Sequence, residues 1–178
     1  MDSGFNEFPR ERTEFSDLAY AALGRALAYA TAFEAVCRSL SSLEEVRHAM
    51  DLAKESEQDS DAVFGVAIEA VWGKRLYEHV GRIIENQHLP DDVASTIKRA
   101  KGARNEIAHQ ITLGISQYIE SESGRSKFLV RLSELTSEIA HGFLLVELIS
   151  ILETNELNPV PSSLANYADQ VAEWVTDV

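Results

Sequence analysis

Apolar residues recur along this chain in steps of three and four, not in alternation, and that spacing predicts helices throughout. A first stripe runs Phe15, Leu18, Ala22, Leu23, Ala26, Ala30, Phe33, Val36 and Leu40, with Ser16 placed to cap it. Its many alanines favour close approach of a neighbouring helix. Ser42, followed three residues on by Glu45, has the form of a capping box, so a second, shorter helix is expected to start there and to end near Glu57. After a polar loop from Ser56 to Asp61, Ser60 is placed to cap a third helix. Its stripe includes Val63, Phe64, Ala67, Ile68, Val71, Leu76, Val80, Ile83 and Ile84.

Pro90 suits the first position of a fourth helix, with Asp91 and Asp92 at its positive end. Val93, Ile97, Ala100, Ile107, Ile111 and Ile115 continue it, and Gly102 marks a point where it would bend or restart. A loop is expected around Glu120 to Gly124. A long fifth helix then runs from Ser126 to Glu153, with Phe128, Leu132, Leu135, Ile139, Phe143, Val146 and Ile149 on one face. Leu144, Leu145, Leu148 and Leu152 predict burial nearly all round its second half. Asn158-Pro159-Val160-Pro161 stops it, and a last helix capped by Ser162 or Ser163 carries Leu164, Tyr167, Val171 and Trp174. No strand-like alternation of useful length occurs. The expected fold is all-α, an up-and-down bundle of five to six helices, with residues 1–14 a flexible arm and 15–178 one domain.

Composition narrows the class. At 178 residues and 45% hydrophobic content, the chain can bury one core. The lone cysteine, Cys37, excludes an intrachain disulfide, and its place beside Phe33, Val36 and Leu40 predicts a buried small side chain. The N-terminus, MDSGFNEFPRERTEF, lacks an apolar signal core, and apolar runs such as Phe143 to Val146 are broken by Glu147. The expectation is a cytoplasmic protein without a membrane anchor. A formal charge of −13 opposes nonspecific coating of nucleic acid, so any binding charge must be local.

Metal chemistry has no motif here. His48, His79, His88, His109 and His141 do not pair at helical spacing, and there is no HExxH or CxxC, so neither metal nor cofactor is expected. His79 beside Glu78, and His141 three residues after Glu138, read as surface or internally satisfied histidines. No GxSxG elbow supports a serine nucleophile.

One segment departs from the acidic background. Between Val93 and Asn105 stand Lys98, Arg99, Lys101 and Arg104, with no acid among them. Lys98, Arg99 and Lys101 form either a phosphate-binding patch or a solvated helix face. Arg104 lies within roughly 20° of Ile97 and Ile111 on a continuous helix, inside the apolar stripe. A charge placed there needs a buried acid, a wet cleft or an interface. His109 lies roughly 140° further round, whereas Asn105 and His109 share a face. Convergence on one substrate atom therefore needs either a distorted helix or a site shared between two chains.

Arg104-Asn105-Glu106-Ile107-Ala108-His109 resembles the R-x4-H form of the HEPN motif, with its polar residue directly after the arginine. The resemblance extends in architecture from Ser16 to Leu152 and in specific residues to this hexapeptide. Arg82 and His88 fit the longer spacing too, but they straddle a helix end before Pro90. The resemblance implies a metal-independent endoribonuclease, of toxin or defence type, cutting RNA to a 2′,3′-cyclic phosphate. It gives His109 the role of general base or acid on the ribose 2′-hydroxyl, Arg104 the scissile phosphate, and Asn105 the orientation of either. It also implies two motifs facing one another across a homodimer, and an antitoxin or regulatory protein as partner. Toxins of this kind paired with a nucleotidyltransferase often carry a tyrosine two residues past the histidine. Ile111 stands there instead, which removes that route of regulation. Two other readings are a HEPN-like binding or regulatory module without catalysis, in which Arg104 and His109 only build a dimer, and an unrelated bundle with a chance match.

Overall fold

A computed structural model describes residues 14–55, 59–119, 121–154 and 166–177. In chain order the elements are α1 (Glu14–Glu55), α2 (Ser60–Trp72), α3 (Leu76–Asn86) and α4 (Asp91–Asn105). A π-helical segment (Glu106–Ile111) follows, and then α5 (Thr112–Ile119), α6 (Glu122–Thr154) and α7 (Tyr167–Thr176). The described residues contain no strand, and the fold is the expected all-α, up-and-down bundle. Of the expected arm at residues 1–14, Glu14 belongs to α1 and the rest lies outside the described residues, as do the stop at Asn158 to Pro161, the caps Ser162 and Ser163, and Leu164.

The boundaries correct several expectations. α1 is one continuous helix where two were expected, and Ser16 lies inside it. Ser42 does not cap a new helix, because its hydroxyl donates back to the Arg38 carbonyl four residues earlier. Ser41 donates to the same carbonyl at 3.1 Å. Both hydroxyls are thus satisfied within the helix, and no Gly or Pro interrupts the chain between Gly24 and Gly65.

The expected third helix is two. α2 stops at Trp72, and Arg75 is extended ahead of α3. The Arg75 N–H donates to the Glu78 carboxylate at 2.7 Å, which fixes the new start. Asp59, not Ser60, caps α2, its side chain accepting from the Asp61 N–H at 3.0 Å. Pro90 occupies the N-cap of α4, one residue before the expected position.

The core is a single apolar cluster drawn from α1, α3, α4, the π segment, α5, α6 and α7. Phe33, Ile97, Ile107, Leu132, Ile139 and Val146 have no exposed surface, and Cys37 is buried as expected. α4 lies closest to α6 at Gly142, where a Cβ would overlap that of Ala100. Gly142 sets this approach because no side chain stands between the helices.

α6 is the one described helix long and apolar enough to cross a bilayer, which corrects the expectation that no such stretch exists. In this fold its stripe from Phe128 to Val146 is the centre of the core. Its second half is not buried all round: Leu144, Leu145 and Leu148 are half-buried and Leu152 is exposed.

α7 turns Ala168, Ala172 and Val175 inward in place of the expected larger residues. Trp174 faces out beneath the Arg25 guanidinium, which lies 6.0 Å from the ring centroid. Arg25 also donates to the carbonyls of Val175 and Asp177, satisfying the open end of the helix.

Candidate functional site

The site grows out of the last turn of α4. Ile97, Ala100, Ala103 and Ile107 carry the buried stripe, so Ala103 takes the inward position and Arg104 lies at its edge, against α1. There the Arg104 guanidinium pairs with Glu34, and the two side chains are 22% and 19% exposed. The charge expected inside the apolar stripe has therefore found a half-buried acid. Glu34 also accepts from Arg38, one turn along α1, at 3.1 Å. On its other arm, Arg104 donates to the Asn105 side-chain amide oxygen, Oδ1, at 3.2 Å. The chain of contacts thus runs Arg38, Glu34, Arg104, Asn105.

Beyond Asn105 the helix changes pitch. Residues Glu106–Ile111 form a π-helical segment, with hydrogen bonds spanning five residues instead of four. The Thr112 hydroxyl records this, donating at 2.8 Å to the Ile107 carbonyl five residues back. Thr31, Thr96 and Thr136, in regular helix, each reach a carbonyl four residues back. The segment is braced from α6: Arg131 donates to both Glu106 carboxylate oxygens, at 2.8 and 2.7 Å. That bond holds the Glu106 carboxyl below its ordinary range. The expected bend at Gly102 does not occur, because α4 runs regularly through it. The departure from α-geometry lies four residues later.

This distortion starts two residues after Arg104 and contains His109. A π turn rotates less per residue than an α-turn, so it reduces the separation of roughly 140° that a straight helix would impose. His109 is exposed and, among the described residues, bonded to no other side chain. The structure therefore joins Arg104 to Asn105 directly and leaves His109 as a free imidazole about one turn beyond them.

Lys98 and Arg99 are exposed and Lys101 is half-buried on α4. Arg99 donates to the Thr96 hydroxyl at 3.3 Å. None of the three forms an ion pair among the described residues, so their charge faces solvent. The competing pair is dispersed: Arg82 is bound to Glu45 at 2.5 Å. His88 sits in a left-handed turn, φ 47°, with Nδ1 on the Glu85 carbonyl.

Sequence reasoning missed two groups of residues. Glu34 and Arg131 are the acid and the base that fix the motif from outside, and the one visible signal was an acid set between the stripe residues Phe33 and Cys37. The other is Ser41, the partner of His79: that histidine, expected at the surface or internally satisfied, is fully buried, with Nδ1 2.6 Å from the Ser41 hydroxyl. Burial, with the nearby Arg38 charge, pushes its imidazole below the usual range. No three His, Cys, Asp or Glu side chains cluster as a metal site among the described residues. Set against family models, curated proteins and solved structures, the chain matches none, so its own residues carry the functional argument.

Proposed function

We propose that this chain is a metal-independent endoribonuclease of HEPN type, acting through Arg104, Asn105 and His109. The observation that carries the reading is the π segment set inside the motif. Such segments are rare, cost regular hydrogen bonding and concentrate at functional sites. Here one starts just past the cation and carries the imidazole, and it is braced by Glu106 with Arg131 and by Thr112. In this reading Glu34 and Asn105 hold the guanidinium in a fixed plane, and its remaining N–H groups take the scissile phosphate. The exposed His109 removes or returns the proton of the ribose 2′-hydroxyl. Lys98, Arg99 and Lys101 give RNA a locally cationic approach on an acidic body. Each chain carries the full set of groups, so the facing copy that the resemblance implies adds a second set beside the first.

Purified protein should cleave RNA in EDTA, and His109→Ala should slow cleavage by roughly a hundredfold or more with its helical spectrum unchanged. Mixing Arg104→Ala with His109→Ala protein should restore nothing if each chain is complete, whereas recovery would place the site across two chains. Intact RNA with wild type and variant alike, over a broad panel of substrates, would remove the enzymatic reading.

The Glu34 ion pair favours a second reading, a binding or regulatory module in which Arg104 is structural. That reading expects Arg104→Ala and Glu34→Ala to lower thermal stability alike, with no cleavage by any form.

A further inference from the structure

Among the described short helices, α2 is the most apolar and the least covered. Between Asp61 and Trp72 its only charged residues are those at Asp61 and Glu69. Among the described elements it packs chiefly on α1, and it gives no residue to the core cluster. Only Val71 is buried, while Phe64, Val66 and Trp72 are 45%, 70% and 67% exposed. Beside it runs a groove of about 520 Å³, lined by Ala49 of α1 and by Ala62, Val66 and Ala70 of α2. Ala62, Val66 and Ala70 lie on one line of the helix, and the two alanines let another backbone come close on either side of Val66.

The charges at the two ends of α2 say what covers this face. Asp59 and Asp61 stand exposed at its N-terminus, and the exposed Arg75 follows its C-terminus, next to Lys74, whose charge is taken up by Glu45 of the same chain. Val66 lies midway between these ends. A second α2 laid antiparallel would set each acidic end against the other's basic end, with the two Val66 side chains near the axis. The helix dipoles would oppose favourably in the same arrangement. A two-fold interface must be self-complementary, and this face is. Two chains of charge −13 repel elsewhere, so an apolar stripe with an acidic end and a basic end is where they can meet.

We infer that the α1–α2 face is a homodimer interface, with α2 seated antiparallel against α2 of a second copy. This stands apart from the nuclease reading, and its test needs no RNA.

Sedimentation of the full chain over a concentration series should show a monomer–dimer equilibrium. Val66→Glu should raise the dissociation constant roughly tenfold or more. Asp61→Lys and Arg75→Glu should each weaken the dimer, and the two combined in one chain should restore it. Both are exposed positions, so the swap remains informative if Val66→Glu fails to fold. A chain that stays monomeric at every concentration overturns the inference. So does a dimer that Val66→Glu and the single charge changes leave unaltered, or one that the combined swap fails to restore.

Discussion

The α4–α6 contact and the α1–α2 contact run against composition: α4 is largely polar yet its narrow apolar stripe is sealed against α6, whereas the far more apolar α2 lies open on α1. At the first, Gly142 lets α6 approach until a single methyl group would overlap Ala100, and Phe33 and Ile97 are sealed beside it. At the second, an added methyl on Gly65 would meet nothing within 4 Å. Apolar spacing states which face of a helix seeks cover. Whether cover arrives depends on what other helices can reach, and among the described elements α2 packs chiefly on α1. The π segment obeys the same rule. It lies where the stripe must stay inward on both sides of Asn105, with Ile107 and Ile111 buried, and its altered pitch reconciles that demand with an exposed His109.

Paired substitutions should expose this contrast. The largest effect belongs to Phe33→Ala, expected to cost about 3–5 kcal/mol by denaturant titration, against less than about 1 kcal/mol for Phe64→Ala in dilute protein. Equal losses would mean that α2 is buried in the folded chain.

Glycines should divide in sign as well as size. Gly142→Ala should cost about 1–3 kcal/mol, because overpacking outweighs the gain in helix propensity. Ala100→Gly added to it should recover part of the loss. Gly65→Ala should stabilise by about 0.5–1 kcal/mol, since only propensity changes there. A neutral Gly142→Ala would show that α4 and α6 can part without cost.

The smallest effect concerns His79, buried between α1 and α3 where the two regions meet. Its folded form resists a proton that the unfolded chain accepts, so the unfolded state binds more protons below about pH 6.5. Stability is full above that pH and falls as the pH drops below it. His79→Gln should flatten the decline in melting temperature between about pH 7 and pH 5. An identical slope in wild type and variant would show that His79 does not contribute to it.

Some of this was legible from residue order alone. The helical period, the long stripe of α6, the buried Cys37 and the break before Pro90 all follow from local spacing and backbone chemistry. Arg104 was visible as a cation in an apolar stripe, and its need for a partner followed from that position. The partner was not visible, because Glu34 lies 70 residues away and one acid among 29 carries no mark of its neighbours. The π segment was equally hidden. Its cause is a tertiary demand, with Arg131 of α6 gripping Glu106 and the core holding Ile107 and Ile111 inward.

The sequence by itself determined an all-helical chain with most of its inward faces chosen, because period and capping are local properties. It also determined that one short basic run carries an arginine, an amide and a histidine in an acidic protein. Only the tertiary structure decided that Ser42 continues a helix, that Gly73 and Arg75 end one and start another, and that α2 keeps its apolar face uncovered. It alone decided that Arg104 leans on Glu34. Each of these outcomes rests on which distant surfaces meet, and burial energy is set by that meeting, not by the order of residues along the strip.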